Sequence, residues 1–113
     1  MADLTRTEVI KLLAVTKDKG INLSGVDLSN LNLQNLNFAG ADLTGADLTG
    51  ADLTGADLSG ADLTGADLAK ANLTRADLLG VNPRGANLTG ANFTGAMVSW
   101  DDFLGEDISD IIA

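Results

Sequence analysis

Carboxylates dominate the chemistry open to this chain. Asp or Asn stands at every fifth position from Asn22 to Asn92, and thirteen of the sixteen acidic residues lie beyond residue 20. Paired carboxylates can hydrolyse glycosides, but only when unlike environments raise the pKa of one of them. An Asp repeated on a regular convex surface meets the same environment each time, and nothing in the sequence marks a pocket. Calcium is the second candidate. Stacked Asp27, Asp47 and Asp67 would attract loose cations, yet a specific site needs about six to eight converging oxygens. The unit also lacks the nonapeptide pattern of calcium-binding β-helices. Ice binding through stacked Thr54, Thr74 and Thr94 is the third, and that column is one Thr wide. Cys and His are both absent, which removes thiolates, disulfides and the commonest general base and metal ligand. The expectation is a chain without enzymatic activity, with no catalytic, cofactor-binding or metal-binding residue. Its Asp and Asn side chains are expected to hydrogen-bond nearby backbone at corners.

Charge narrows the partners. Residues 1–20 carry a net +1 and residues 21–113 a net −10. That excludes direct binding to nucleic acid or to anionic lipid and permits a basic protein partner. The start, "MADLTRTEVIKLLAV", lacks the apolar stretch and cleavage site of a signal peptide. No run approaches the roughly 18 apolar residues of a membrane span. The reading is cytoplasmic.

The elements that position these side chains follow from the period. Stepping by five from Leu23 gives an apolar column through Leu43, Leu48, Leu53, Leu58, Leu63 and Leu68 to Val98, broken only at Pro83. A second column, two residues earlier, is Ile21, Val26, Leu31 and Leu36, then Ala from 41 to 76. Ala-Asp-Leu alternates in, out, in, as a strand does. The two polar residues that follow, mostly ending in Gly, read as a corner. A helix would scatter the Leu column, because five residues turn about 500°. Three extended residues and a corner must coil. If each corner turns about 90°, four units close a square and the chain restacks every 20 residues, about 4.8 Å higher. Periodicity alone leaves a triangle open.

The unit A-(D/N)-L-x-x, seen in "ADLTG", "ANLTR" and "ANFTG", resembles the pentapeptide-repeat family over residues 21–98. The resemblance implies a mainly β fold: a right-handed quadrilateral β-helix, a solenoid of about four coils and roughly 19 Å. Residues 41–68 are nearly identical unit to unit, as in a recent duplication or a consensus-designed segment. Pro83 is expected to remove one inter-coil hydrogen bond.

Stacked coils have open ends that must be covered. Thr5-Arg6-Thr7-Glu8 fits a capping box, and Val9, Leu12 and Leu13 share a face. Lys17, Lys19 and Gly20 suit a C-terminal stop. This predicts a capping helix over 6–18 within residues 1–20, lying on the larger apolar side chains of the first coil. For residues 99–113, continuing the register would place Asp101 and Glu106 inward, where burial is costly. Trp100, Phe103, Leu104, Ile108, Ile111 and Ile112 instead follow helical spacing. A short C-terminal capping helix is the favoured reading.

The functional expectation is a non-catalytic structural or protein-interaction solenoid. Asp27, Asp47, Asp67, Trp100, Ile111 and Ile112 form its candidate surface. The chain is read as a monomer or as a dimer formed through the C-terminal end, around Ile111 and Ile112. Leu53→Asp should unfold it and Asp52→Ala should be nearly silent. The family resemblance also implies an alternative, a DNA mimic that binds bacterial type II topoisomerase (gyrase) and protects it from quinolones. Against that, a 19 Å length of duplex carries about eleven charges, whereas residues 21–98 carry a net −5.

Overall fold

The computed structural model describes residues 4–16 and 20–109. The proposed stop at Lys17 and Lys19, and the proposed contacts of Ile111 and Ile112, lie outside those residues.

From residue 22 onward the backbone pairs with itself at a spacing of 20. Parallel bridges join Asn22 to Asp42, Asp42 to Asp62 and Asp62 to Asn82, and equivalent ladders start at Asp27, Asn32 and Asn37. The square is therefore the observed coil, with four units to a turn. Unit 51–55 accounts for all five of its amides. Ala51 N–H donates to Leu48 O across the corner (3.0 Å), and Asp52 N–H to Leu31 O in the coil below (2.9 Å). Leu53 and Gly55 N–H donate to Asn72 O and Thr74 O in the coil above, at 2.7 and 2.9 Å. Thr54 N–H donates to the side chain of Asp52 at 3.1 Å. The corner needs a left-handed residue at its third position, as a type II turn does, and Gly55 has φ 69° there. Asn30, Asn35, Lys70 and Arg75 take the same conformation without being Gly, at φ between 57° and 61°.

The core is the expected aliphatic column. Leu43, Leu48, Leu53, Leu58, Leu63 and Leu68 are at most 1% exposed, and the Ala column beside them is as dry. Burying a Leu side chain contributes about 2 kcal/mol, so the column is the main source of cohesion.

α1 spans Arg6–Val15 and starts with the predicted capping box. Thr5 Oγ1 accepts from Glu8 N–H at 3.2 Å and Thr5 N–H donates to Glu8 Oε1 at 2.9 Å. The helix is shorter than the 6–18 expected. Thr16 leaves helical geometry, and both its N–H and its hydroxyl turn back to Leu12 O, at 3.2 and 3.1 Å. Val9 is buried, and Leu4 and Leu13 pack against the core. Val26, Leu31 and Leu36 of the first coil pack there too. The cover is incomplete: a cleft of about 440 Å³ remains, lined in part by Ile10, Leu13, Ala14, Ile21 and Leu36.

The C-terminal end corrects two expectations. Trp100–Phe103 form one 3-10 turn, not the start of an α-helix. Leu104 turns extended at ψ 129° and Gly105 sits at φ 90°, which ends it. The three-residue period is what lets Trp100 and Phe103 both reach Phe93, with ring centroids 6.0 and 6.1 Å away. An α-helix would have buried Leu104 with them, and it is 79% exposed. Pro83 costs no inter-coil bond. Central amides donate to the carbonyl 19 residues ahead, and Leu78 to Met97 is the last such bond among the described residues. The counterpart for position 83 would be Asp102, which lies in the 3-10 turn and not in a stacked coil.

Candidate interaction surface

The outward column is less free than alternation suggests. In each unit the Asx Oδ1 accepts the amide two residues on. Asp47 takes Thr49 N–H at 3.0 Å, Asp67 takes Ala69 N–H at 3.0 Å, and Asn72 takes Thr74 N–H at 3.0 Å. Where Ser or Thr follows, the hydroxyl often joins: Ser29 to Asp27 at 2.6 Å, Thr54 to Asp52 at 2.6 Å, Thr64 to Asp62 at 2.5 Å. The Asp side chains are half-buried in consequence. They close each corner as well as facing water, and this corrects the expectation that Asp52→Ala is silent. Any contact with a partner falls to Oδ2, which in Asp52 already accepts Gln34 Nε2 at 2.7 Å.

These donors set the acidity. Hydroxyl donation from Ser29, Thr54 and Thr64 holds the carboxyls of Asp27, Asp52 and Asp62 below the usual Asp range. Every displaced carboxyl in the described residues is displaced downward, including Glu8 by Thr5 and Asp107 by Ser109. Acid catalysis needs the opposite shift. Among the described residues no three or more acidic side chains are grouped to hold a metal ion. Thr54, Thr74 and Thr94 donate their hydroxyl protons to Asx oxygens, so they offer water no free O–H lattice. No helix among these residues is long and apolar enough to cross a membrane.

The predicted surface residues do not all meet. Asp27, Asp47 and Asp67 stack in one ladder that ends at Asn87. Trp100 closes the fourth side of the last coil, opposite that ladder, 43% exposed and packed on Phe93 and Phe103. Charge forms a belt: residues 41–60 hold four Asp and no base, whereas residues 81–100 hold no carboxylate. Sequence reasoning passed over an apolar group near Trp100. Leu79, Met97 and Leu104 are exposed there, as are Ile10, Leu12 and Val15 on α1. The signal was present: Leu79 occupies a Ser/Thr position and Met97 an Asp/Asn position.

A model of pentapeptide repeats matches residues 21–60 and 66–100, in eight copies. Among solved structures, alr5209, a pentapeptide repeat protein from Nostoc Pcc 7120, is 42% identical with a TM-score of 0.72, over 78% of this chain and 73% of that one. Rfr23, a pentapeptide repeat protein from the cyanobacterium Cyanothece 51142, is 39% identical with a TM-score of 0.67, over 69% of this chain and 54% of that one. QnrB1, a plasmid-mediated fluoroquinolone resistance protein, is 26% identical over 69% of this chain and 41% of that one. Its TM-score of 0.38 is too low to carry an argument. No curated protein matches the chain.

Proposed function

Because the chain belongs to the pentapeptide repeat family, whose fold is a right-handed quadrilateral β-helix, we infer that it is a non-catalytic interaction module. In this reading residues 21–98 form about four coils, residues 1–20 and 99–113 cap them, and the acidic belt meets a basic protein in the cytoplasm. The observation that carries it is the belt itself. Its carboxylates are held in fixed rows by Oδ1 bonds to their own corners, so little side-chain entropy is lost on contact. Preorganised charge of one sign favours a partner of the other.

The test separates charge from structure. Asn serves the same corners at 72, 82, 87 and 92. Replacing Asp42, Asp47, Asp52 and Asp57 by Asn therefore keeps the Asx bonds and removes the four charges of the belt. A basic partner bound by the wild type should be released by this variant and by salt. Equal capture by both proteins refutes the belt as the contact. The DNA-mimic alternative predicts inhibition or drug protection in a gyrase supercoiling assay, and an inert protein there removes it.

A further inference from the structure

The two ends of the coil carry opposite chemistry. At the first end α1 buries Val9 but leaves Leu12 40% and Val15 83% exposed, with Lys11 exposed one turn before Val15. The sequence of that end, residues 1–20, is net positive. At the other end Leu104 is exposed beside Trp100, and residues 99–113 carry five acidic groups and no base. Asp101 is exposed and Asp102 half-exposed in the 3-10 turn itself. Each end thus exposes apolar side chains together with charged ones, and the net charges of the two end segments are of opposite sign. We propose that the chain associates end to end with a second copy of itself, α1 of one copy seated on the Trp100–Leu104 turn of the next.

Like ends are the poorer match. Two C-terminal ends would set five acidic groups against five, and two α1 helices would oppose their cations. An unlike pairing is heterologous and does not close, so it builds open strings of copies. The contact is small. The two shorter dimensions of the molecule, 28 and 23 Å, give an end face of roughly 640 Å² per copy, below the roughly 800 Å² per partner of a standard interface. Association is therefore weak, reversible and sensitive to salt.

This inference rests on the module reading only in taking the ends as contact surfaces, and its experiment does not involve the acidic belt. Sedimentation of the full chain over a range of concentration and salt is the measurement. One variant spoils the first end (Lys11→Glu with Val15→Ser) and another the second (Asp101→Lys with Leu104→Ser). All four side chains are exposed, and circular dichroism checks that both variants fold. The wild type should form a growing series of species that salt dissolves. Each variant alone should associate at least about tenfold more weakly. A mixture of the two should stop at a one-to-one dimer, because one intact end of each kind remains. A wild type that stays monomeric at every concentration overturns the proposal and leaves the belt reading to its own test. A two-fold contact between C-terminal ends also overturns it, and would appear as dimerisation of the first variant alone.

Discussion

Asp52→Ala should destabilise this protein by an amount that Asp52→Asn does not. The carboxylate accepts three hydrogen bonds, from Thr54 N–H at 3.1 Å, Thr54 Oγ1 at 2.6 Å and Gln34 Nε2 at 2.7 Å. Hydrogen bonds to a charged acceptor contribute about 1.5–3 kcal/mol when buried. This group is half-exposed, so water replaces part of what is lost and screening weakens the rest. The orphaned Thr54 amide remains, since no backbone acceptor serves that position in any repeat. The expected loss is about 1–2 kcal/mol, a fall in thermal midpoint of about 4–10 °C for a domain this size. Asn keeps the Oδ1 acceptor, and Asn72 already holds Thr74 N–H and Oγ1 at 3.0 and 2.5 Å one coil above; the half-exposed Gln34 amide can turn over to accept from the new Nδ2 where it now donates to Oδ2. Asp52→Asn should therefore lie within about 0.5 kcal/mol of wild type. Urea titrations followed by circular dichroism would measure both. If Ala and Asn give equal midpoints, the Asx bond does not stabilise the corner and the reasoning fails.

Leu53→Asp places an unpaired carboxylate where the wild-type residue is fully buried. It should cost about 5 kcal/mol or more, enough to leave no cooperative transition in a thermal melt. Acid should destabilise the fold through Asp27, Asp52 and Asp62. Their folded pKa values are lowered by hydroxyl donation, so their contribution is whole above the unfolded value near 4 and disappears as pH falls through the lower folded values. Melting midpoints should be level from neutrality to about pH 5 and drop below about pH 4, less steeply once all three are Asn. Gly20→Ala should be far worse than Gly45→Ala. A Cβ on Gly20 collides with the Gly40 carbonyl oxygen, whereas Gly45 has open space and only its φ of 66° to oppose a side chain. The second change should cost about 1 kcal/mol in a denaturant titration, and the first several times that.

The period of five made the core legible. A Leu every fifth residue has no consistent face on a helix, and a Gly-ended corner every five residues forces a coil. That argument located Leu43 through Leu68 without help from tertiary structure, and the capping box located the start of α1. What alternation could not give was the direction in which an outward side chain bends. Asp52 points away from the Leu column and then returns to its own corner; the habit of Asx side chains of bonding nearby backbone foretold that contact, and the pattern of inside and outside did not. The C-terminal end was misread for a related reason. Trp100, Phe103 and Leu104 satisfy both a three-residue and a 3.6-residue period over so short a stretch, and only the position of Phe93 in the last coil decides between them. Leu79 and Met97 were legible as departures from the repeat, but a departure on the surface has no core to complete and passes unweighed.

The ends of the ladder explain three residues that look unrelated in the sequence. Central and corner amides donate forward, to the coil above. The first coil therefore has no coil below it to use the corresponding carbonyls, and the last has no coil above it to take these amides. Arg6 meets the former: Nη1 donates to Asn32 O at 2.8 Å and Nη2 to Gln34 O at 3.1 Å. Glu106 meets the latter, its Oε1 accepting Gly85 N–H at 2.9 Å. Pro83 stands in the same last coil and has no amide to leave over. A cation where no coil lies below, a carboxylate where no coil lies above and an imino acid in place of a donor all act against extension of the sheet. With the edge blunted in this way, a second copy cannot simply continue the coil. Contact between ends must run through the side chains of α1 and the 3-10 turn, which is why it depends on their charge and not on backbone pairing.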